Sequence, residues 1–372
     1  RDPEMSRGLG DVYKRQDDIQ EAIDEDYDIS ESFIKYCFNH ETLFVTSSLS
    51  KFALNVTDKN GDYSFIIPKD DEVFLPSNLY DSYSEKEWLD NEWMYSLDSD
   101  YIKNCSNGKV TEFKKFMDSV FGVKEISAKE FYKFVVKKHI KEINANISED
   151  NDADGFKNID FIKYLDENYK LIFEEEKDSD LLVSITLVAE DCYDINKFQN
   201  SVYAFDNELK EILNKDWFPS GITHMCTSKY GNSRAILAIK AQKYDFAGFF
   251  SKVIAPNISS INKEIKNKEQ SIDFHNLVIE HKGQIPADEI KKMKSTKLYL
   301  LDNTDPENTS TGHAILSGTA KELAEKGLVE FSQLNIIDPA YNTEDNRDYW
   351  STHLENSDFT IIHFLKCCLL YT

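Results

Sequence analysis

Two short stretches of the chain carry side chains at spacings that could do chemistry. In Asp150-Asn-Asp152-Ala-Asp154-Gly155, oxygen ligands fall at alternate positions and glycine takes the sixth, as in the front half of a calcium loop. The back half departs from that pattern. Lys157 occupies position eight, where an aliphatic residue belongs, and Phe161 occupies position twelve, where a bidentate carboxylate is needed. An acidic linker is the better reading, and Asp150, Asp152 and Asp154 stand as the one weak metal candidate. The second stretch, Leu277-Val-Ile-Glu280-His-Lys282, offers the Glu-x-Lys of a metal-dependent nuclease strand. Two-metal phosphodiester chemistry needs a further carboxylate on a neighbouring strand. A strand at 277–282 beside other acidic strands would support that enzyme, with Glu280 and Lys282 as its catalytic pair. A helix there removes it, and a helix is what the internal alignment below favours. The 8 histidines make no His-Glu-x-x-His or other zinc spacing, and no Walker loop, Gly-x-Ser-x-Gly or Gly-x-Gly-x-x-Gly occurs. No other catalytic, cofactor or metal residue is assigned.

The elements around these stretches are more informative. From Trp88 to Ile140 the chain passes through Asp-Ser-Asp-Tyr101 into two amphipathic runs. Val110, Phe113, Met117, Val120 and Phe121 fall at helical spacing, as do Phe131, Phe134, Val135 and Ile140, with a glycine stop at Gly122 between them. The pair predicts a helical hairpin with lysines 129, 133, 137, 138 and 141 off its apolar stripe.

Relatives of this stretch return twice. Three helix-like segments carry anchors Phe33, Phe161 and Phe274, separated by 128 and 113 residues. Each precedes β-rich runs: Phe52–Val56, Tyr63–Pro68 and Val73–Pro76 around an Asn60-Gly61 turn, then Leu181–Val188 and Ser201–Phe205, then Leu298–Leu301 and Gly312–Leu316. Tyrosines 101, 230 and 341 follow, separated by 129 and 111 residues. Two independent anchors keep nearly the same two spacings, which is what tandem copies of one unit produce. The expected fold class is α+β, an array of about three helix, β-rich and helical-hairpin modules at 17–148, 156–266 and 269–366, the last cut short.

Both ends look foreign to that array. Asp11–Gln16 can be encoded GAT GTG TAT AAG AGA CAG, and the reverse complement in another frame yields Cys-Leu-Leu-Tyr-Thr, the residues at 368–372. One inverted sequencing-adaptor DNA explains both, so 1–16 and 367–372 are read as vector- or adaptor-derived tails and the remainder as an internal fragment of a longer protein. With Arg1–Gln16 set aside, 39 basic residues face 64 acidic ones, a net of −25. Such a surface repels phosphate backbones and favours a basic protein partner over nucleic acid. No apolar run approaches the thickness of a bilayer. Cys37, Cys105, Cys192 and Cys226 show no Cys-x-x-Cys pattern, which points to a reducing, cytoplasmic setting.

Val73-Phe-Leu-Pro-Ser-Asn-Leu-Tyr80, Asp-Ser-Asp-Tyr101, and the run from Phe113 to Val123 resemble the repeat regions of sacsin-like proteins. The phrase returns as Ile337-Asp-Pro-Ala-Tyr341 and Tyr349-Trp350, so the resemblance covers most of residues 29–366. It implies a very large parent in which a gyrase/histidine-kinase-type ATPase domain precedes long chaperone-like or scaffolding repeats. ATP would belong to that domain, whose nucleotide-binding motifs are not visible here, and no cofactor is expected in this segment. The expected function is a non-catalytic scaffold or protein-interaction segment, with the Glu280/Lys282 nuclease as the alternative.

Overall fold

A computed structural model describes residues 27–40, 49, 52–68, 73–148, 156–190, 195–196, 202–299, 314–315, 335–336, 338–341, 345–346 and 348–350. The two terminal tails and Asp150, Asp152 and Asp154 lie outside the described residues.

The fold is α+β, and the chain divides into two compact units. One contains Arg1–Thr186, Asp194–Asn196 and Ser233–Ile239; the other contains Leu187–Tyr193, Lys197–Asn232 and Lys240–Thr372. The boundary does not follow the expected division at 148/156. The helix Phe156–Glu167, which opens the second expected module, belongs to the first unit.

In the first unit, the helix Tyr27–Asn39 leads to a mixed four-stranded sheet. Its strands are β1 (Leu54–Thr57), β2 (Tyr63–Ile66), β3 (Val73–Phe74) and β4 (Tyr95–Leu97), in the order β2-β1-β4-β3. β1 and β2 form the hairpin expected at Asn60-Gly61. Gly61 takes φ +84°, and the Asp58 carboxylate accepts the backbone N–H groups of Asn60 and Asp62. β3 pairs parallel to β4, Val73 opposite Tyr95. The two helical runs predicted from apolar spacing are also present. Val110–Phe121 ends at Gly122 in the left-handed region, and Ser127 and Glu130 form a capping box before the π-helical Phe131–Val136 and the helix Ile140–Ser148. The core joins Ile34, Leu54, Val56, Tyr101, Phe113 and Met117.

In the second unit, β5 (Leu187–Val188) is followed by β7 (Val202–Tyr203) and β8 (His224–Met225), a parallel pair; β6 (Ile195–Asn196) falls in the first. β9 (Ala314–Ile315) and β10 (Asn335–Ile336) are also parallel. The helix Lys268–Glu280 starts at Asn267, whose side chain accepts the Gln270 N–H. The core of this unit gathers Trp217, Phe249, Phe274, Tyr341 and Trp350.

Two expectations are corrected. Leu181–Val188 is not one strand: Ser179–Leu182 is helical and only Leu187–Val188 is extended. Leu298 and Tyr299 are described outside any strand, with 300 and 301 outside the described residues.

Candidate functional site

Lys86-Glu-Trp88 and Lys215-Asp-Trp217 each follow a seven-residue helix, Asn78–Ser84 or Asn207–Leu213. These helices are too short to persist unaided. Each is started by a side-chain cap: Ser77 accepts the Tyr80 N–H, and Asp206 accepts those of Glu208 and Leu209. Each is then held at its far end by the same contact. In the first unit, Asp160 accepts Lys86 Nζ on one carboxylate oxygen and the Trp88 indole N–H on the other, both at 2.9 Å. In the second unit, Asp273 accepts Lys215 Nζ at 2.9 Å and the Trp217 indole N–H at 2.7 Å. Each Asp directly precedes an anchor phenylalanine, and each tryptophan meets that ring edge-on: Trp88 to Phe161 at 4.9 Å and 73°, Trp217 to Phe274 at 4.8 Å and 69°.

Energetics favour this Lys-x-Trp clasp for two reasons. Burying an indole removes a large apolar surface from water, yet its N–H costs about 1–3 kcal/mol if left unpaired inside. Trp88 and Trp217 are both buried, and a single carboxylate satisfies each N–H while its second oxygen pairs with the lysine. A groove lies beside each clasp. One, about 580 Å³, is lined by Ser82, Glu85, Lys86, Phe156, Lys157 and Asp160. The other, about 620 Å³, includes Glu208, Glu211, Lys215, Asp273, Glu280 and His281. In the second groove Glu208 accepts the Tyr244 hydroxyl at 2.8 Å and faces His281 Nε2 at 3.3 Å.

A hydrogen-bond frame also recurs. Asn144 accepts the Thr186 N–H, whose carbonyl accepts the Asn158 amide; Asn262 accepts the Lys297 N–H, whose carbonyl accepts the Ser271 hydroxyl. Two residues further on, the Tyr230 hydroxyl accepts the Val188 N–H at 2.8 Å and the Tyr341 hydroxyl accepts that of Tyr299 at 3.1 Å. Tyr101, at the matching place in the first unit, pairs with Ser30 Oγ at 3.1 Å. Burial pushes the Tyr341 phenol up to about 12 and raises that of Tyr230, so both are neutral hydrogen-bonding groups at neutral pH.

The sequence-predicted chemical pair lies elsewhere than on a strand. Glu280 is the last residue of the helix Lys268–Glu280, and Lys282 lies in the following turn, its Nζ 2.6 Å from Asp348 Oδ1. The strand required by a Glu-x-Lys nuclease is therefore helix here, because Asn267 caps a run that continues through Leu277. Among the described residues, no three His, Cys, Asp or Glu side chains converge as a metal site would require. The clasp residues Lys86, Asp160, Lys215 and Asp273 were not singled out from sequence. Their signal is present there: Lys-x-Trp recurs at a spacing of 129, and Asp-Phe at 113. Among the described residues, no helix is long and apolar enough to cross a membrane. Comparison with family models, curated proteins and solved structures gives no match to this chain.

Proposed function

We propose that this chain is a non-catalytic scaffold, a tandem array of about three α+β modules that binds or spaces other protein surfaces within a larger, ATPase-linked or chaperone-like protein. The observation that carries the reading is the clasp: the same three side chains join a short helix to the next anchor-phenylalanine helix at two places. Strand register supports it, since Val73 opposite Tyr95 and Val202 opposite His224 are each 129 residues apart. The Leu75 N–H to Lys124 carbonyl bond likewise has its counterpart in Ala204 and Gln242.

What recurs is packing, backbone support and the clasp's Lys–Asp pair, which is engaged in holding the tryptophan, whereas the other groove residues change. At a spacing of 129, Ser82 corresponds to Glu211 and Glu85 to Asn214. Shared packing is what stacked modules need; a shared reaction would need a shared polar set. A basic protein partner in a reducing compartment suits the acidic surface and the buried thiols of Cys37, Cys105 and Cys226.

The test is an assay of the purified chain for ATP turnover and for magnesium- or manganese-dependent cleavage of DNA and RNA. No turnover is expected, with Glu280→Ala/Lys282→Ala indistinguishable from the parent. Cleavage that disappears in the double variant would overturn the scaffold in favour of a nuclease.

A further inference from the structure

We propose that the outward stripe of the helix Tyr27–Asn39 is a docking face for a protein segment that presents a lysine and a tryptophan two residues apart at the end of a short helix. The inference rests on the module reading above. Ile29, Phe33 and Tyr36 lie at i, i+4 and i+7 and so share one face. Phe33-Ile-Lys-Tyr36 is identical to Phe161-Ile-Lys-Tyr164, where the same face is closed by Trp88, 4.9 Å from Phe161 and 5.4 Å from Tyr164. Tyr164 is 1% exposed; Tyr36 is 52% exposed and Ile29 44%.

The opposite face is occupied alike in both helices. Ser30, Ile34 and Cys37 are buried, as are Asn158, Ile162 and Leu165. The helix is thus built with two working faces, one filled within its unit and one half open to solvent. On this face Phe33 meets Phe52 at 4.8 Å and packs against the core of the first unit, and Tyr36 stacks on His40 at 4.4 Å. Chemistry for the occupant comes from the two clasps in the chain, whose lysine–tryptophan pairs are both engaged, so the partner must bring its own. Ser32 stands where Asp160 and Asp273 stand. Its hydroxyl can accept an indole N–H and cannot neutralise the lysine, so this face holds its partner more loosely than the internal clasps.

The experiment extends the full chain by a second copy of residues 27–155 placed ahead of residue 28. Trp93→Phe in the added copy leaves Trp88 of that copy as the sole added tryptophan outside the parent chain. Its difference emission should be blue-shifted and protected from iodide. Tyr36→Asp in the receiving helix should abolish the protection, and Ser32→Asp should favour the closed form about tenfold. A solvent-like emission unmoved by Tyr36→Asp would overturn the proposal. Concentration-dependent self-association of the unextended chain that Tyr36→Asp abolishes would overturn it in favour of a self-contact. Coupling between Trp88 and Asp160 in the unextended chain reports on the module reading separately, so either idea can fail alone.

Discussion

Asp160 and Asp273 each hold a charged donor and a neutral buried one, and the two donors do not contribute equally. The lysines are partly exposed, so their ion pairs are screened and worth less than about 1 kcal/mol. The indole N–H is the larger stake, because Trp88 is fully buried. Asp160→Ala should cost about 1–3 kcal/mol in the first unit, with Lys86→Ala costing clearly less. In a denaturant-based double-mutant cycle, Asp160→Ala and Trp88→Phe should couple, because the second change removes the N–H that the first strands. Additive losses would mean that the carboxylate serves the lysine alone. A second residue-scale test concerns Asp348, whose carboxyl is held below its usual range first by the hydrogen bond from Lys282. A depressed carboxyl contributes stability above the ordinary carboxylate range, and that contribution is lost as pH falls through the folded-state value. Lys282→Ala should move the Asp348 titration upward in a carboxyl-carbon NMR experiment. The stability change should stay below about 1 kcal/mol, since the Asp348 carboxylate is largely exposed and the pair is screened. An unmoved titration would show that Lys282 does not hold this carboxylate in solution.

At the scale of elements, Tyr230 and Tyr341 each accept a backbone N–H, and Tyr341 also donates to Ser271 Oγ at 2.8 Å, the counterpart of the Tyr101–Ser30 pair. Tyr230→Phe and Tyr341→Phe each remove the acceptor of a buried backbone N–H and should cost about 1–3 kcal/mol. Tyr101→Phe removes a hydroxyl pair with Ser30 and should cost about 0.5–1.5 kcal/mol. Chemical denaturation of the three variants checks the ranking; a loss at Tyr101 larger than at the other two would refute it. Helices were legible where apolar spacing and a glycine stop agree, as in Val110–Phe121 with Gly122. The Asn60-Gly61 hairpin was legible for its turn chemistry. Of the two-residue parallel pairs, Val202–Tyr203 and Ala314–Ile315 fall inside the expected runs Ser201–Phe205 and Gly312–Leu316, whereas their partners His224–Met225 and Asn335–Ile336 are too short for any alternation to announce them. The seven-residue helices were not legible either, since they span less than two full turns and depend on the clasp for their far end. Trp88 opens the stretch singled out in the sequence, but its partner Asp160 lies 72 positions away, beyond any local pattern. The Glu280 run is ambiguous taken alone, since Leu277–Lys282 is half apolar and fits strand or helix; the internal alignment favours helix, and the cap that decides sits earlier, at Asn267.

Across the whole chain, the clasps hold repeated elements together by burial, while the surface left over is strongly acidic, with a formal charge of −24 and an isoelectric point near 4.7. Those two properties act at different ranges. Apolar contact fixes neighbours only at touching distance, whereas a net charge of this size steers a partner over about a Debye length, roughly 8 Å at physiological salt. On the scaffold function proposed above, recognition of a basic partner should begin electrostatically and finish in the grooves, where Glu208, Glu211 and Glu280 in the second unit present carboxylates beside apolar Leu277. The prediction is a split in kinetics. Against a small basic protein probe, raising salt from about 50 to 200 mM should slow association several-fold and leave dissociation nearly unchanged. Glu208→Lys/Glu211→Lys should slow association and also speed dissociation, because those side chains contribute both to the steering field and to the contacts made after encounter. Stopped-flow fluorescence separates the two rates. Association indifferent to salt, or comparable binding of duplex DNA, would sink the electrostatic account, since the same field that draws a basic protein must repel a phosphate backbone.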